Sequence, residues 1–228
     1  RLRQLRDRRP SRAPRRSPHR WWVAMTCAPI VVIAKEPIPG KVKTRLCPPF
    51  TLDEAAEIAK AALLDTLDAA LASDACKVVL ALDGSEMSWL PTGIEVMPQR
   101  GDGLGERLAS VFEDLGGPGL VIGMDTPQIV AMDIDHGLAL LAEDDCDAVL
   151  GPAADGGYWS IGLTAPDERA FDGVPMSRAD TRLHQVEALR SLGWRVRELR
   201  ELVDVDDHVG ALIAAAQAPG SRFAAVLT

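Results

Sequence analysis

Apolar and polar positions follow two rhythms along this chain. Short unbroken apolar runs, PIVVIA (29–34), KVVLAL (77–82) and GLVIGM (119–124), are separated by stretches in which apolar residues recur three and four apart. Aliphatic runs of that length bounded by turn residues read as strands buried on both faces, and the 3.6-residue rhythm reads as amphipathic helix. TLDEAAEIAKAALLDTLDAALAS (51–73) opens with Thr51 and Glu54 at capping-box spacing, which predicts a helix. Further helices are expected over 105–115, 133–143 and 180–192 and after DVDD (204–207), with strands at IEVM (94–97), DAVLGP (147–152), YWSIGL (158–163) and RVREL (195–199). This alternation predicts an α/β fold with a mainly parallel central sheet and helices on both faces.

In such sheets ligands bind beyond the carboxyl ends of the strands. That rule selects EPIPGKVKTR (36–45), Asp125, Asp155 and the late acids Asp204, Asp206 and Asp207, all of which are expected to face one crevice. The first of these is not a P-loop, because Gly40-Lys41 is followed by Val42 and Lys35 stands where the leading glycine belongs. Lys41, Lys43 and Arg45 either offer cationic donors to a diphosphate or form a solvated basic loop. Asp125, at the end of an apolar strand and two residues before Pro127, is placed at the sheet's rim, as a ligand for Mg²⁺ or Mn²⁺ or as a turn cap. ADGGYW (154–159) is either a ligand-approaching loop with Asp155 as its polar handle or a plain hairpin turn through Asp155-Gly156, and one of the late acids, Asp207, is expected to cap the last helix.

Composition narrows the classes. Residues 1–24 hold nine arginines and one acid, while the whole chain carries −8, so the body is strongly acidic and argues against a nucleic-acid face. The segment 1–24 reads as a disordered basic leader, with Met25 as a start and a signal peptide as the alternative, and 25–228 reads as one domain. No later apolar run has the ~20 residues of a membrane span. Cys27, Cys47, Cys76 and Cys146 lie far apart, with no zinc-like spacing, which suits reduced thiols in the cytoplasm. The histidines are isolated from one another, so a hydrolase triad has little support.

Taken in order, PGKVKTRL (39–46), QRGDGLGER (99–107), IGMDTP (122–127), GPAADGGYW (151–159) and LVDVDD (202–207) resemble an uncharacterised bacterial family of GT-A-like glycosyltransferases in the nucleotide-diphospho-sugar transferase superfamily, some members of which are associated with arsenosugar biosynthesis. The likeness runs from about residue 29 to 212. It implies a Rossmann-like GT-A fold, a nucleotide-sugar donor and a small-molecule acceptor. It further implies metal ligation by Asp125 and Asp204, phosphate or nucleotide contacts from Lys41, Lys43, Arg45, Gly101, Gly105 and Arg107, and substrate contacts from Gly156, Gly157 and Tyr158. Asp155 or Asp206 would orient or deprotonate the acceptor. The chain departs from the family pattern at Met176-Ser177-Arg178 and at Asp207-His208.

The expected activity is therefore divalent-metal-dependent transfer of a sugar from a nucleotide-diphosphate donor. The alternative is nucleotidyl transfer from a triphosphate with release of pyrophosphate, because cytidylyl- and guanylyltransferases share rim carboxylates, lysine-arginine loops and late DVD segments.

Overall fold

The computed structural model describes residues 28–85 and 87–227, so the basic leader expected over 1–24 lies outside the described residues. In chain order the elements are β1 (Ile30–Lys35), α1 (Leu52–Leu71), β2 (Val78–Asp83), β3 (Ile94–Pro98), α2 (Leu104–Leu115), β4 (Gly119–Gly123), α3 (Ala131–Leu141), β5 (Ala148–Pro152), β6 (Tyr158–Leu163), α4 (Thr181–Ser191), β7 (Val196–Glu198), α5 (His208–Gln217) and α6 (Arg222–Val226). The strands form one seven-stranded sheet in the order β3-β2-β1-β4-β6-β5-β7. All neighbours are parallel except β6, which runs antiparallel to both β4 and β5.

The unbroken apolar runs have the expected physical cause. Ile30, Val32 and Ala34 of β1 pack on one side of the sheet with Ala59, Leu63 and Leu67 of α1 and Ile134 of α3. Val31 packs on the other side with Leu108, Val111 and Phe112 of α2 and Leu189 of α4. A central strand covered on both faces has no position left for a polar side chain.

Helix α1 is itself covered twice. Its outer side, with Ala55, Ile58 and Ala62, packs on Ala211 and Ala214 of α5 and Phe223 of α6, and its many alanines permit this close approach. Thr51 and Glu54 form the expected capping box, the Thr51 hydroxyl accepting from the Glu54 N–H and the Glu54 carboxylate from the Thr51 N–H. Among the described residues no helix is long and apolar enough to cross a membrane.

Candidate active site

Parallel β1, β2, β4 and β5 end at one edge of the sheet, and antiparallel β6 begins there, with Tyr158 opposite Pro152. The connections leaving that edge are the 36–45 loop, the start of α2, the segment after β4, the 153–157 turn and the 200–207 segment. Together they enclose a cavity of about 820 Å³. This is the single crevice expected from the strand-end rule, and its volume lies in the range of small-molecule sites.

The 36–45 loop is fastened at Lys43. This residue holds a left-handed backbone, φ 48 and ψ 32, just before a short 3-10 turn at Thr44–Leu46. A non-glycine residue tolerates that conformation only where its surroundings over-determine it. Here they do so through the side chain, which is 8% exposed, lies 2.6 Å from the Asp125 carboxylate and donates to the Val205 carbonyl. The Val205 N–H in turn donates to the Asp125 carbonyl at 2.8 Å. One lysine thus clamps the first loop, the end of β4 and the late acidic segment together. Arg45, by contrast, is exposed and pairs with Asp206 at 3.0 Å.

Three carboxylates converge beside this clamp. Asp155, Asp204 and Asp206 each offer an oxygen, and these oxygens lie within 4.8 Å of one another. Burial, and then the neighbouring charges of Asp155 and Asp206, push the Asp204 carboxyl up to about 6; its own backbone and Lys43 oppose the shift. The donors are all hard oxygens, the set that Mg²⁺ and Mn²⁺ take, so the residues fit such an ion. Asp207 takes no part and caps α5 by accepting from the Gly210 N–H at 2.8 Å, as expected for one of the late acids. The buried hydroxyls of Thr126 and Ser160, both on the cavity wall, have no hydrogen-bond partner among the described residues.

The DGGY turn is built for close approach. Gly156 holds φ +90, its carbonyl accepts the Arg182 N–H at 3.0 Å, and the Asp155 carboxylate accepts the Gly157 N–H at 2.7 Å. Tyr158 lines the cavity, yet its hydroxyl is engaged inward and donates to Gln185 at 3.1 Å, and burial pushes this phenol's pKa up.

On the opposite wall Arg107 is pinned, with 2.7 Å to Asp83, 3.1 Å to the Gln99 side-chain oxygen and 3.2 Å to the Gly101 carbonyl. Gly101 holds φ +115 where a Cβ would meet Glu106 at 2.6 Å, and Gly105 sits in the first turn of α2 against Met176 and Phe171. The cavity wall includes Arg107, but Gly101, Gly105 and Gly156 shape it from behind.

Two contributors escaped sequence reasoning. Gln99 donates its amide to the Ala34 and Ala81 carbonyls at 2.8 and 2.9 Å, tying β1 to β2 beneath the cavity. Arg178 lines the cavity with its guanidinium fixed by Asp180 at 2.9 and 3.1 Å. Gln99 opens the QRGDGLGER stretch, but the sequence gives it no role of its own there, whereas Arg178 falls in the 176–178 stretch where the chain departs from the family pattern.

Residues 58–178 match the model of a family described as "Uncharacterized protein conserved in bacteria (DUF2064)". The chain belongs to this family. The family span holds Arg107, Asp125, Asp155 and Arg178; Lys43, Asp204 and Asp206 lie outside it. A solved structure from Desulfovibrio desulfuricans G20, provisionally described as a nucleotide-diphospho-sugar transferase, is 27% identical, with a TM-score of 0.79 over 89% of this chain and 94% of its own. A cytidylyltransferase from Leptospira borgpetersenii shares the fold at 12% identity and a TM-score of 0.55, over 90% of this chain and 93% of its own. So does 2-C-methyl-D-erythritol 4-phosphate cytidylyltransferase from Thermus thermophilus, at 17% identity and 0.51, over 86% and 100%. No curated protein matches the chain. This DUF2064 member is thus a distant bacterial relative within the GT-A and nucleotidyltransferase superfamily, with a Rossmann-like fold.

Proposed function

We propose that the protein is a divalent-metal-dependent nucleotidyltransferase that joins a nucleoside triphosphate to a small phosphorylated substrate and releases pyrophosphate. The observation that carries this reading is the charge on the cavity wall, where Lys35, Lys41, Lys43, Arg45, Arg107 and Arg178 face the same space as the carboxylate cluster. A nucleotide-sugar brings a diphosphate, and its acceptor is an uncharged hydroxyl. A triphosphate with a phosphomonoester brings twice the number of phosphates, and so more anionic oxygens for these cations, of which Lys43, Arg45, Arg107 and Arg178 also hold a carboxylate partner. The cytidylyltransferases that share the fold are named for this class of reaction.

In this reading a phosphate oxygen of the second substrate attacks the α-phosphorus. The bond from that phosphorus to the bridging oxygen breaks, and pyrophosphate leaves. A phosphate oxygen is already ionised, so the step needs no general base. Asp155 and Asp206, expected as acceptor-activating groups, are assigned with Asp204 to hold the metal ion. When bound, the ion neutralises charge on the phosphates. Lys41 and Arg45 grip the triphosphate, Arg107 fixes the loop that closes over the nucleotide, and Arg178, already oriented by Asp180, receives the second substrate's anion. The cytoplasm, where nucleoside triphosphates are abundant, is the compartment this reading requires.

Glycosyl transfer is the second reading, favoured by the description of the Desulfovibrio relative. A thermal-shift panel of triphosphates and nucleotide-sugars with Mg²⁺ or Mn²⁺, followed by a pyrophosphate-release assay against phosphorylated small molecules, decides between them. Stabilisation by a triphosphate together with pyrophosphate release is expected. Selective stabilisation by a nucleotide-sugar, with release of a nucleoside diphosphate, would replace the first reading by the second.

A further inference from the structure

We propose that the 175–181 segment selects the second substrate, with Arg178 holding its phosphate and Met176 its carbon body, and that this body is apolar rather than polyhydroxylated. The inference rests on the nucleotidyl-transfer reading above and names the class of its second substrate, a phosphomonoester of an aliphatic or aromatic alcohol.

The segment presents two side chains in fixed places. Thr181, 4% exposed, donates its hydroxyl to the Pro175 carbonyl at 2.8 Å and accepts the Arg178 N–H at 2.9 Å. Between those anchors Ser177 holds φ 59, a left-handed conformation that a non-glycine residue keeps only where its surroundings over-determine it. Met176, before this turn, is half-buried on the side of the sheet covered by α2 and α4, and its methyl lies 3.4 Å from where a Cβ on Gly105 would stand. Arg178, after it, stays exposed on the cavity wall. Its Nε and Nη2 face Asp180, which leaves both N–H groups of Nη1 and one of Nη2 for a phosphate.

Beside Met176 the cavity wall is apolar. Leu108, Val121 and Ile161 line it and pack in the same layer as Met176. Val121 and Ile161 are direct cross-strand partners on β4 and β6, so their side chains share that face. Tyr158 offers this wall its ring, because its hydroxyl is engaged by Gln185 at 3.1 Å and lies 3.6 Å from the Met176 sulfur. The unpartnered Ser160 hydroxyl belongs to the other face, since Ser160 pairs with Ile122, which packs with Leu63 of α1 and Ile134 of α3. A polyol laid on this wall would leave hydroxyls without partners, whereas an alkyl or aryl body gains from leaving water.

The test is calorimetric titration of the full chain with n-butyl phosphate and with erythritol phosphate, which share a four-carbon chain and differ in hydroxyls, with circular dichroism to confirm the fold of each variant. Wild type is expected to bind n-butyl phosphate about tenfold or more tighter. Met176→Leu should keep that preference, and Met176→Gln, which keeps the length of the side chain, should cut it to less than about threefold. Arg178→Gln should weaken both esters by about tenfold and leave their ratio in place.

Equal or tighter binding of erythritol phosphate by wild type, a ratio unchanged in Met176→Gln, or an Arg178→Gln that binds both esters as wild type does would each overturn the inference. If Met176→Gln does not fold, the wild-type ratio and Arg178→Gln decide. Failure of wild type to bind either ester would remove the nucleotidyl-transfer reading together with this one. A preference for n-butyl phosphate without any release of pyrophosphate would remove only the reaction class and leave the subsite as it stands.

Discussion

A Cβ placed on Gly156 would lie 1.9 Å from the Ala179 carbonyl oxygen. The turn that carries Asp155 and the segment leading into α4 therefore meet backbone against backbone, and no side chain can be inserted. Gly156→Ala meets this clash as well as the cost of φ +90. The expected loss is about 2–4 kcal/mol in urea unfolding, with loss of Mn²⁺ affinity as Asp155 is displaced. Gly173→Ala, at φ +68 with open space around its Cβ, is the matched control and should cost only about 1 kcal/mol.

Lys41 and Arg107 line the same cavity but are held differently. Among the described residues no ion pair is recorded for Lys41, whereas Arg107 joins Asp83, Gln99 and the Gly101 carbonyl. Lys41→Ala should weaken triphosphate binding by about tenfold while leaving the unfolding midpoint in place, and the loss should shrink at high salt. Arg107→Ala should weaken binding and also cost about 1–2 kcal/mol of stability, because it leaves polar partners unsatisfied. Titrating both variants with a triphosphate and unfolding both in urea separates the two roles.

The layered sheet was legible because its signals are local: β1, β2 and β4 are unbroken apolar runs, and the α1 capping box spans four residues. The strand-end rule then placed the acids at one crevice. What escaped depends on residues far apart in the chain. Lys43 reaches Asp125 only because its backbone is left-handed, and no residue pattern announces that. The antiparallel pairing of β6 with β5 was legible in the hairpin reading of Asp155-Gly156, since a connection as short as 153–157 cannot carry a parallel crossover, whereas its antiparallel pairing with β4 was not. Helix α6, too short to show a rhythm, takes much of its N-terminal capping from Asp65 on α1.

That cap is itself open to test. The Asp65 carboxylate accepts the Phe223 N–H at 2.8 Å and pairs with Arg222 at 3.2 Å, holding α6 where Phe223 fills the space beside α1. Asp65→Ala should cost about 1–2 kcal/mol and increase proteolysis within residues 218–227, with ligand binding unchanged. A variant as resistant as wild type would mean that Phe223 packing, the Ser221 cap and the Asp68–Arg222 pair hold the helix without Asp65.

The acidic cluster predicts an unusual pH dependence. In the unfolded chain Asp204 ionises near 3.9, but in the fold, without metal, its carboxyl is pushed up to about 6 by burial and by Asp155 and Asp206. Between those values the native state holds the extra proton. The contribution of Asp204 to stability is therefore fully present below the unfolded value and is lost as pH rises through about 6. A divalent ion reverses this, because it binds the ionised carboxylates and competes with the proton. The rise in melting temperature caused by Mn²⁺ should be larger at pH 7.5 than at pH 5, and Asp204→Asn should remove most of that difference while stabilising the metal-free protein at pH 7.5. Thermal unfolding of both proteins across this range, with and without Mn²⁺, makes the comparison. A metal-induced shift that is the same at both pH values would show that the ion does not bind where Asp204 holds its proton.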